Sequence, residues 1–249
     1  MTLPIPPTWL SAPPIPEPKA NQAHVYCLDL SLDSAREQQL RGYLIQEEQA
    51  RADRFATRQL QTRFIAARGQ LREILAAYVG TAPGELRFSY NPYGKPSLDL
   101  SIHDLSHLPG PLCFNLAHSG GLALLAVTFG QEVGVDLEDM SRPVDYQAIV
   151  RRYFSPDEEE ALFALPDDQQ RMGFFNGWAR KEAYIKAQGM GLSIPLDSFS
   201  VTLSPTLPAR FLRAEEEWKL YEISPIFDYA AALVSRGEVT KILCYKWNL

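Results

Sequence analysis

LCFNLAHSGGLALLAVTFGQEVGVDLE, Leu112–Glu138, holds three apolar runs separated by a His-Ser-Gly-Gly turn and by Gly130. Short runs rich in Leu, Val and Phe between turn residues are strands. The first two form a hairpin, and the third, VGVDLE, opens a second half of the chain near Gly130. Its alternation puts Val133, Val135 and Leu137 on one face and Gly134, Asp136 and Glu138 on the other.

Strands and long helices recur on both sides of this division. Upstream, HVYCLDL (His24–Leu30) reads as a strand. Glu47–Tyr78 reads as one helix, with Leu60, Phe64, Ala67, Leu71, Ile74, Leu75 and Tyr78 at helical spacing and Gly80 as its stop. ELRFSYNPYGKPSL is a strand entering a Pro and Gly turn. Downstream, Ser155-Pro156-Asp157-Glu158 opens a helix with a cap, a proline and an acid in sequence. Asp167–Gln188 is a further helix, followed by strands in DSFSVTL, EWKLYEIS, YAAALVS and TKILCYKW, most of them antiparallel. The expectation is an α+β chain of two similar-sized layers with a site at their seam. Residues 1–20 form a proline-rich arm, extended and without regular secondary structure, because seven prolines lie between Pro4 and Pro18. Residues 21–129 and 130–249 form the two subdomains.

The 249 residues are 46% hydrophobic and 22% charged, as in a soluble globular protein. A net charge of -6 argues against a general binder of nucleic acid or anionic membranes, so any anion site is local. Cys27, Cys113 and Cys244 are far apart and show no C-x-x-C spacing, which points away from disulfides and zinc and fits a reducing cytoplasm. No export signal or membrane-length apolar span is apparent.

Chemistry enters with WARKEAYIKA, Trp178–Ala187. Phe174, Phe175, Trp178 and Ile185 share a core-facing arc, and Glu182 falls inside it, where a carboxylate needs a hydrogen bond, a cation or a metal. Glu182 and Lys186 allow a surface i, i+4 salt bridge, or Glu182 is the third carboxylate of a site with Asp136 and Glu138. The VGVDLE acids likewise allow a solvated strand face or a hard-metal site for Mg²⁺, with Gly134 admitting a ligand closely. Lys181 borders the arc and can reach into a site, whereas Arg180 points away. His118 is either solvated or binds phosphate together with the amides of its turn. His24, His103 and His107 read as structural or surface residues. Arg51, Arg54 and Arg58 lie on a helix face balanced by Glu47, Glu48 and Asp53, with one or two of the nearby arginines free for phosphate. Lys95 sits on a rigid turn as a fixed cation or a solvated loop lysine.

Together YNPYGKP, FNLAHSG, VGVDLE, RRYFSPDE and WARKEAYIKAQGMGLSIPLDSFSV resemble, in order and spacing, the 4'-phosphopantetheinyl transferases of the Sfp type. The G-V-D-x-E strand followed by W-x-x-K-E-x-x-x-K is that family's signature pair, and the resemblance runs over Glu47–Val201. It implies a pseudo-twofold fold with coenzyme A between the halves, and Asp136, Glu138 and Glu182 as Mg²⁺ ligands. Lys186 and Lys181 would neutralise the diphosphate, His118 would contact the 3'-phosphate, Lys95 the nucleotide end, and Arg51 and Arg63 further phosphate oxygens. Ala117 stands where Ser is common, which removes one hydroxyl from the phosphate turn. The implied reaction moves phosphopantetheine to a serine of an apo acyl or peptidyl carrier protein, with Glu182 and Lys186 as catalytic residues and either Glu182 or a metal-bound water oriented by it as the base. The carrier would dock on the segment 189–199, where Met190, Leu192 and Ile194 offer apolar contacts, and a monomer suffices to form the seam. A non-catalytic nucleotide- or metal-binding scaffold is the alternative, and the three filled ligand positions weigh against it. A phosphotransferase of another kind lacks support because no G-x-x-x-x-G-K-[ST] loop is present.

Overall fold

The computed structural model describes residues 7–11 and 15–247, apart from the side chain of Leu192. The first half contains β1 (Trp9–Ser11), β2 (Gln22–Asp29), α1 (Ser34–Tyr43), α2 (Gln46–Ala52), α3 (Arg58–Val79), β3 (Phe88–Tyr90), β4 (Pro96–Leu98), β5 (Leu112–Ser119) and β6 (Leu122–Phe129). The second contains β7 (Val133–Asp139), α4 (Tyr146–Tyr153), α5 (Pro156–Phe163), α6 (Asp167–Gln188), β8 (Ser200–Val201), β9 (Phe211–Arg213), β10 (Trp218–Glu222), β11 (Tyr229–Arg236) and β12 (Lys241–Trp247). A strand, three helices, a short strand pair and two longer strands occur in the same order twice. The antiparallel sets β2-β6-β5 and β7-β11-β10 match in strand order as well. This repeat is the pseudo-twofold α+β architecture.

Alternation assigns each sheet two buried faces. Val25, Cys27, Leu124 and Ala126 meet Val133, Val135, Leu137 and Leu233 in a core between the sheets. Tyr26, Leu28, Phe114 and Leu125 face outward to Leu71, Ile74 and Leu75 of α3. Helix α6 covers the outer face of the second sheet, with Phe174, Ala183 and Ala187 in the same core as Ala232 and Val234. No helix among the described residues is long and apolar enough to cross a membrane.

Four local expectations change. The helix over Glu47–Tyr78 breaks, because the Thr57 side chain accepts the Leu60 N–H at 3.2 Å and starts α3 afresh, while Phe55 folds onto Phe64. The arm is not wholly irregular: Trp9–Ser11, a proline-free stretch able to donate to a ladder, pairs in parallel with β12. Pro4, Pro6, Pro13 and Pro14 lie outside the described residues. Strand β12, expected within the second subdomain, lies parallel to β2 in the first sheet, where it buries Tyr245 on one face and Cys244 on the other. Arg180 does not point away from the core; it is 2% exposed and donates to the Thr202 carbonyl at 2.6 Å and to Glu222 at 3.0 Å.

Gly134 marks the closest approach between α6 and its sheet. A Cβ there would overlap the Ala183 carbonyl and the Ala187 amide, so the glycine read as a place for a ligand admits a helix backbone instead. Gly134→Ala is expected to destabilise the chain by about 1–3 kcal/mol or more, read as a lower urea midpoint at unchanged slope.

The three histidines read as structural do have partners. His103 Nε2 accepts the Arg87 N–H at 3.0 Å, His107 lies 2.9 Å from the Tyr78 carbonyl, and His24 lies 2.6 Å from the Tyr78 hydroxyl. Burial lowers the His24 pKa to about 4, so the folded chain resists protonating it. Its contribution to stability is complete above the ordinary value near 6.5 and is lost as pH falls toward 4. Unfolding free energy plotted against pH should therefore rise from about pH 4 to 6.5, and His24→Gln should flatten that rise.

Candidate active site

Strands β5 and β7 belong to different sheets yet run side by side. Asn115 Oδ1 accepts the Val135 N–H at 2.9 Å and Ser119 Oγ accepts the Asp139 N–H at 3.0 Å. Both contacts join residues 20 apart, so the strands are parallel and in register, and His118 lies level with Glu138. The β3–β4 turn closes the same seam at the end of α6. There Asn91 Nδ2 donates to the Gly189 carbonyl at 2.7 Å, and Lys95 Nζ donates to the Ala187 carbonyl at 2.7 Å and to Glu132 at 2.5 Å.

Asp136 is 4% exposed. Lys186 Nζ donates to its Oδ1, while Oδ2 is buried with no partner among the described residues. Burial pushes this carboxyl above the usual range, and Lys186 offsets the effect only in part. Glu138 Oε2 is held by Arg142 at 3.0 Å and by the Ser119 hydroxyl at 3.4 Å. Burial first, and the Asp136 charge second, raise its pKa to about 7. Glu182 is half-buried and also raised, by burial and then by Asp136, against the pull of Lys186. Lys186 thus bonds across to the strand, not along the helix, and the surface salt bridge with Glu182 does not form.

Three carboxylates short of positive charge, one with an orphaned oxygen, suit a hard cation such as Mg²⁺. Among the described residues, no three acidic, His or Cys side chains enclose an ion by themselves. That is compatible with Mg²⁺, which keeps several waters and takes phosphate oxygens in its shell.

A cleft of ≈ 770 Å³ opens between α2, α3 and β5, lined by Arg51, Arg63, Arg68, Asn115, His118 and Gly120 among others. Arg51 stacks over the Phe64 ring at 5.1 Å. Arg68 donates to Glu48 at 2.5 Å and to the Tyr90 hydroxyl at 3.1 Å. Arg58 instead pairs with Glu37 at 2.7 Å, as part of the charge-balanced helix face. His118 links the cleft to the carboxylates: desolvation, then Lys186, holds its pKa below the ordinary value, and Asp136 and Arg63 also act on it. The turn after it rests on the end of β7. Gly120 has φ 58, a Cβ on it would meet Asp139 and Tyr229, and the Gly121 N–H donates to the Tyr229 hydroxyl at 3.3 Å. That amide is therefore engaged within the protein.

The model of the 4'-phosphopantetheinyl transferase superfamily matches residues 132–234. The chain is 37% identical over 230 residues to the 4'-phosphopantetheinyl transferase HetI of Nostoc sp., covering 92% of this chain and 94% of that one. The chain belongs to the 4'-phosphopantetheinyl transferase family. It is also 31% identical over 176 residues to the 4'-phosphopantetheinyl transferase Sfp of Bacillus subtilis, covering 71% of this chain and 74% of that one.

Within this transferase, some residues singled out by sequence stand elsewhere. Lys181 does not reach the seam: it is 0% exposed, and its ammonium donates to Glu158 at 2.7 Å and to the Leu196 and Phe199 carbonyls at 2.7 and 2.9 Å. All three of its N–H donors are used, so none remains for a diphosphate. Lys95 is fixed, as a turn lysine should be, but on the carbonyl end of α6, where orphan C=O groups favour a cation. Ala117 is buried in the core between the sheets, so the hydroxyl thought missing from the phosphate turn falls on a position facing away from the cleft. In the segment 189–199, Met190 is 39% exposed, Ile194 packs on the core of the second half, and the side chain of Leu192 lies outside the described residues. Sequence reasoning did not single out Asn115, Ser119, Arg68 or Arg142. Alternation places Asn115 and Ser119 on one face of β5, but nothing along the chain tells that β7 supplies their partners.

Lys181→Met should leave Glu158 buried and unpaired, costing about 3–5 kcal/mol of stability while the KM for coenzyme A of the folded fraction stays unchanged. Lys186→Met should likewise strip the buried Asp136 of its cation and cost stability, but unlike Lys181→Met it should also raise the KM for coenzyme A. Urea unfolding together with steady-state kinetics separates the two.

Proposed function

We propose that this transferase moves 4'-phosphopantetheine from coenzyme A to a carrier-protein serine at the seam of β5, β7 and α6, with Mg²⁺ held by Asp136, Glu138 and Glu182. The observation that carries this reading is the buried, unpartnered Asp136 Oδ2 beside Lys186, next to a cleft lined with arginines. Bound there, Mg²⁺ would neutralise charge on the diphosphate of coenzyme A.

The chain's own groups divide the remaining work. Arg51, Arg63 and His118 line the cleft and supply cationic or hydrogen-bonding contacts for the phosphates of the donor. Lys186, already aimed into the seam by Asp136, adds a positive charge where the leaving group develops negative charge. The serine oxygen bonds to the phosphorus of the phosphopantetheine group as the P–O bond to adenosine 3',5'-bisphosphate breaks. Glu182 takes the serine proton, and burial, by raising its pKa, makes it a stronger base than a solvated carboxylate. Alignment and charge neutralisation account for most of the rate in such phosphoryl-centred transfers. Acyl or peptidyl carrier proteins are the acceptors in this reading, docking beside α6 and the segment that follows it.

Incubation with coenzyme A, Mg²⁺ and an apo carrier should add one phosphopantetheine per carrier by intact-mass measurement. Glu182→Gln, which keeps shape and removes charge, should slow transfer by about 100-fold or more while far-UV dichroism stays that of the parent. Full activity of Glu182→Gln at limiting Mg²⁺ would refute both of its assigned roles.

A further inference from the structure

Ser119 touches both the backbone of β7 and one of its carboxylates. Its Oγ accepts the Asp139 N–H at 3.0 Å, which leaves its own proton to be donated to Glu138 Oε2 at 3.4 Å. It stands immediately after His118, on the strand that walls the donor cleft. The rung at Asn115 and Val135 keeps the same 20-residue offset, so Ser119 is held at a fixed level opposite Glu138 and does not swing on a free loop. Glu138 has no other neutral hydrogen-bond donor from a side chain among the described residues; Arg142, its other partner, is a cation 43% exposed to solvent.

We propose that Ser119 is a positioning residue that holds Glu138 in the orientation needed for Mg²⁺ and ties that orientation to the wall of the donor cleft. The inference rests on the reading of Asp136, Glu138 and Glu182 as the Mg²⁺ site. With one Glu138 oxygen occupied by Ser119 and Arg142, the ion would be met by the other. A hydrogen bond from outside the ligand set fixes a carboxylate's rotamer and so spares the entropy of ordering it when the ion arrives; losing such a bond typically costs about 10–100-fold in metal affinity. Because Ser119 Oγ also accepts the Asp139 N–H, a shift of the hairpin bearing His118 would carry Glu138 with it. The phosphate end and the metal end of the donor site are thereby kept at one spacing.

The test is calorimetric titration of Mg²⁺ into the full chain with coenzyme A present, for the parent, Ser119→Ala, Ser119→Thr and Asp136→Asn. Ser119→Ala is expected to weaken Mg²⁺ about tenfold or more. Ser119→Thr, with the same hydroxyl on the same strand face, should restore it. In transfer assays the Mg²⁺ concentration for half-maximal rate should rise in parallel for Ser119→Ala, while the rate at saturating Mg²⁺ changes by less than about twofold. Parent-like Mg²⁺ affinity in Ser119→Ala overturns the proposal. So does a loss that Ser119→Thr fails to restore while both variants unfold earlier, since that would leave only a structural role. If instead the parent and Asp136→Asn take up Mg²⁺ equally, the metal reading itself fails, and the Ser119 assignment with it.

Discussion

The two halves of this chain meet along β5 and β7, strands that share no backbone ladder, and the candidate site is built on that junction. Two side chains, Asn115 and Ser119, accept the amides that a neighbouring strand would otherwise have taken. A buried amide without a partner is costly, so these contacts are as obligatory as a ladder, but they leave each sheet complete in itself. The strands therefore keep parallel register across a boundary between sheets. Along that register His118 and Glu138 come level, one from each half.

Burial then gives the seam its electrostatic character. Asp136 and Glu138 point to the face covered by α6, and the Gly134 contact with Ala183 and Ala187 brings the helix backbone onto the strand. At that distance water is largely excluded, and all three carboxylates are pushed above their usual range. Lys186 answers Asp136, and the half-exposed Arg142 answers Glu138 in part. The remaining demand for positive charge is a property of the fold: close helix packing supplies the desolvation, and the strand supplies the acids. A cleft lined by Arg51, Arg63 and Arg68 adjoins this acidic site, an arrangement suited to a substrate that carries a diphosphate and a further, separate phosphate.

Lys181 and Lys186 show how similar lysines on one helix come to do different work. Five residues apart on α6, they project in opposite directions. Lys181 enters a pocket made by Glu158, Leu196 and Phe199, where it pins α5 and the loop before β8 to the helix. Glu158 also caps α5 through the Ser155 N–H at 2.9 Å and bonds the Val201 N–H at 2.8 Å, so this pair is a fully satisfied buried network. Lys186 meets a carboxylate whose second oxygen is left open. Satisfaction of hydrogen bonds, more than charge or spacing, separates the structural lysine from the one at the seam.

Much of this was legible along the chain. Period-2 alternation in VGVDLE assigned Asp136 and Glu138 to one face, helical spacing put Glu182 where a carboxylate needs compensation, and turn residues bounded β5, β6, α5 and α6, because these features are set by local backbone geometry. Long-range pairing was not legible. The return of β12 to the first sheet, the break before Thr57, the burial of Arg180 and Lys181, and the capture of Lys95 by the end of α6 all depend on groups distant in sequence. Periodicity says which face a residue occupies and nothing of what arrives there. Residue type and order alone determined two α+β halves with three acids and a His-bearing turn near their junction. Only the tertiary structure decided which cations those acids meet, since burial and hydrogen-bond partners exist only once the two sheets are in contact.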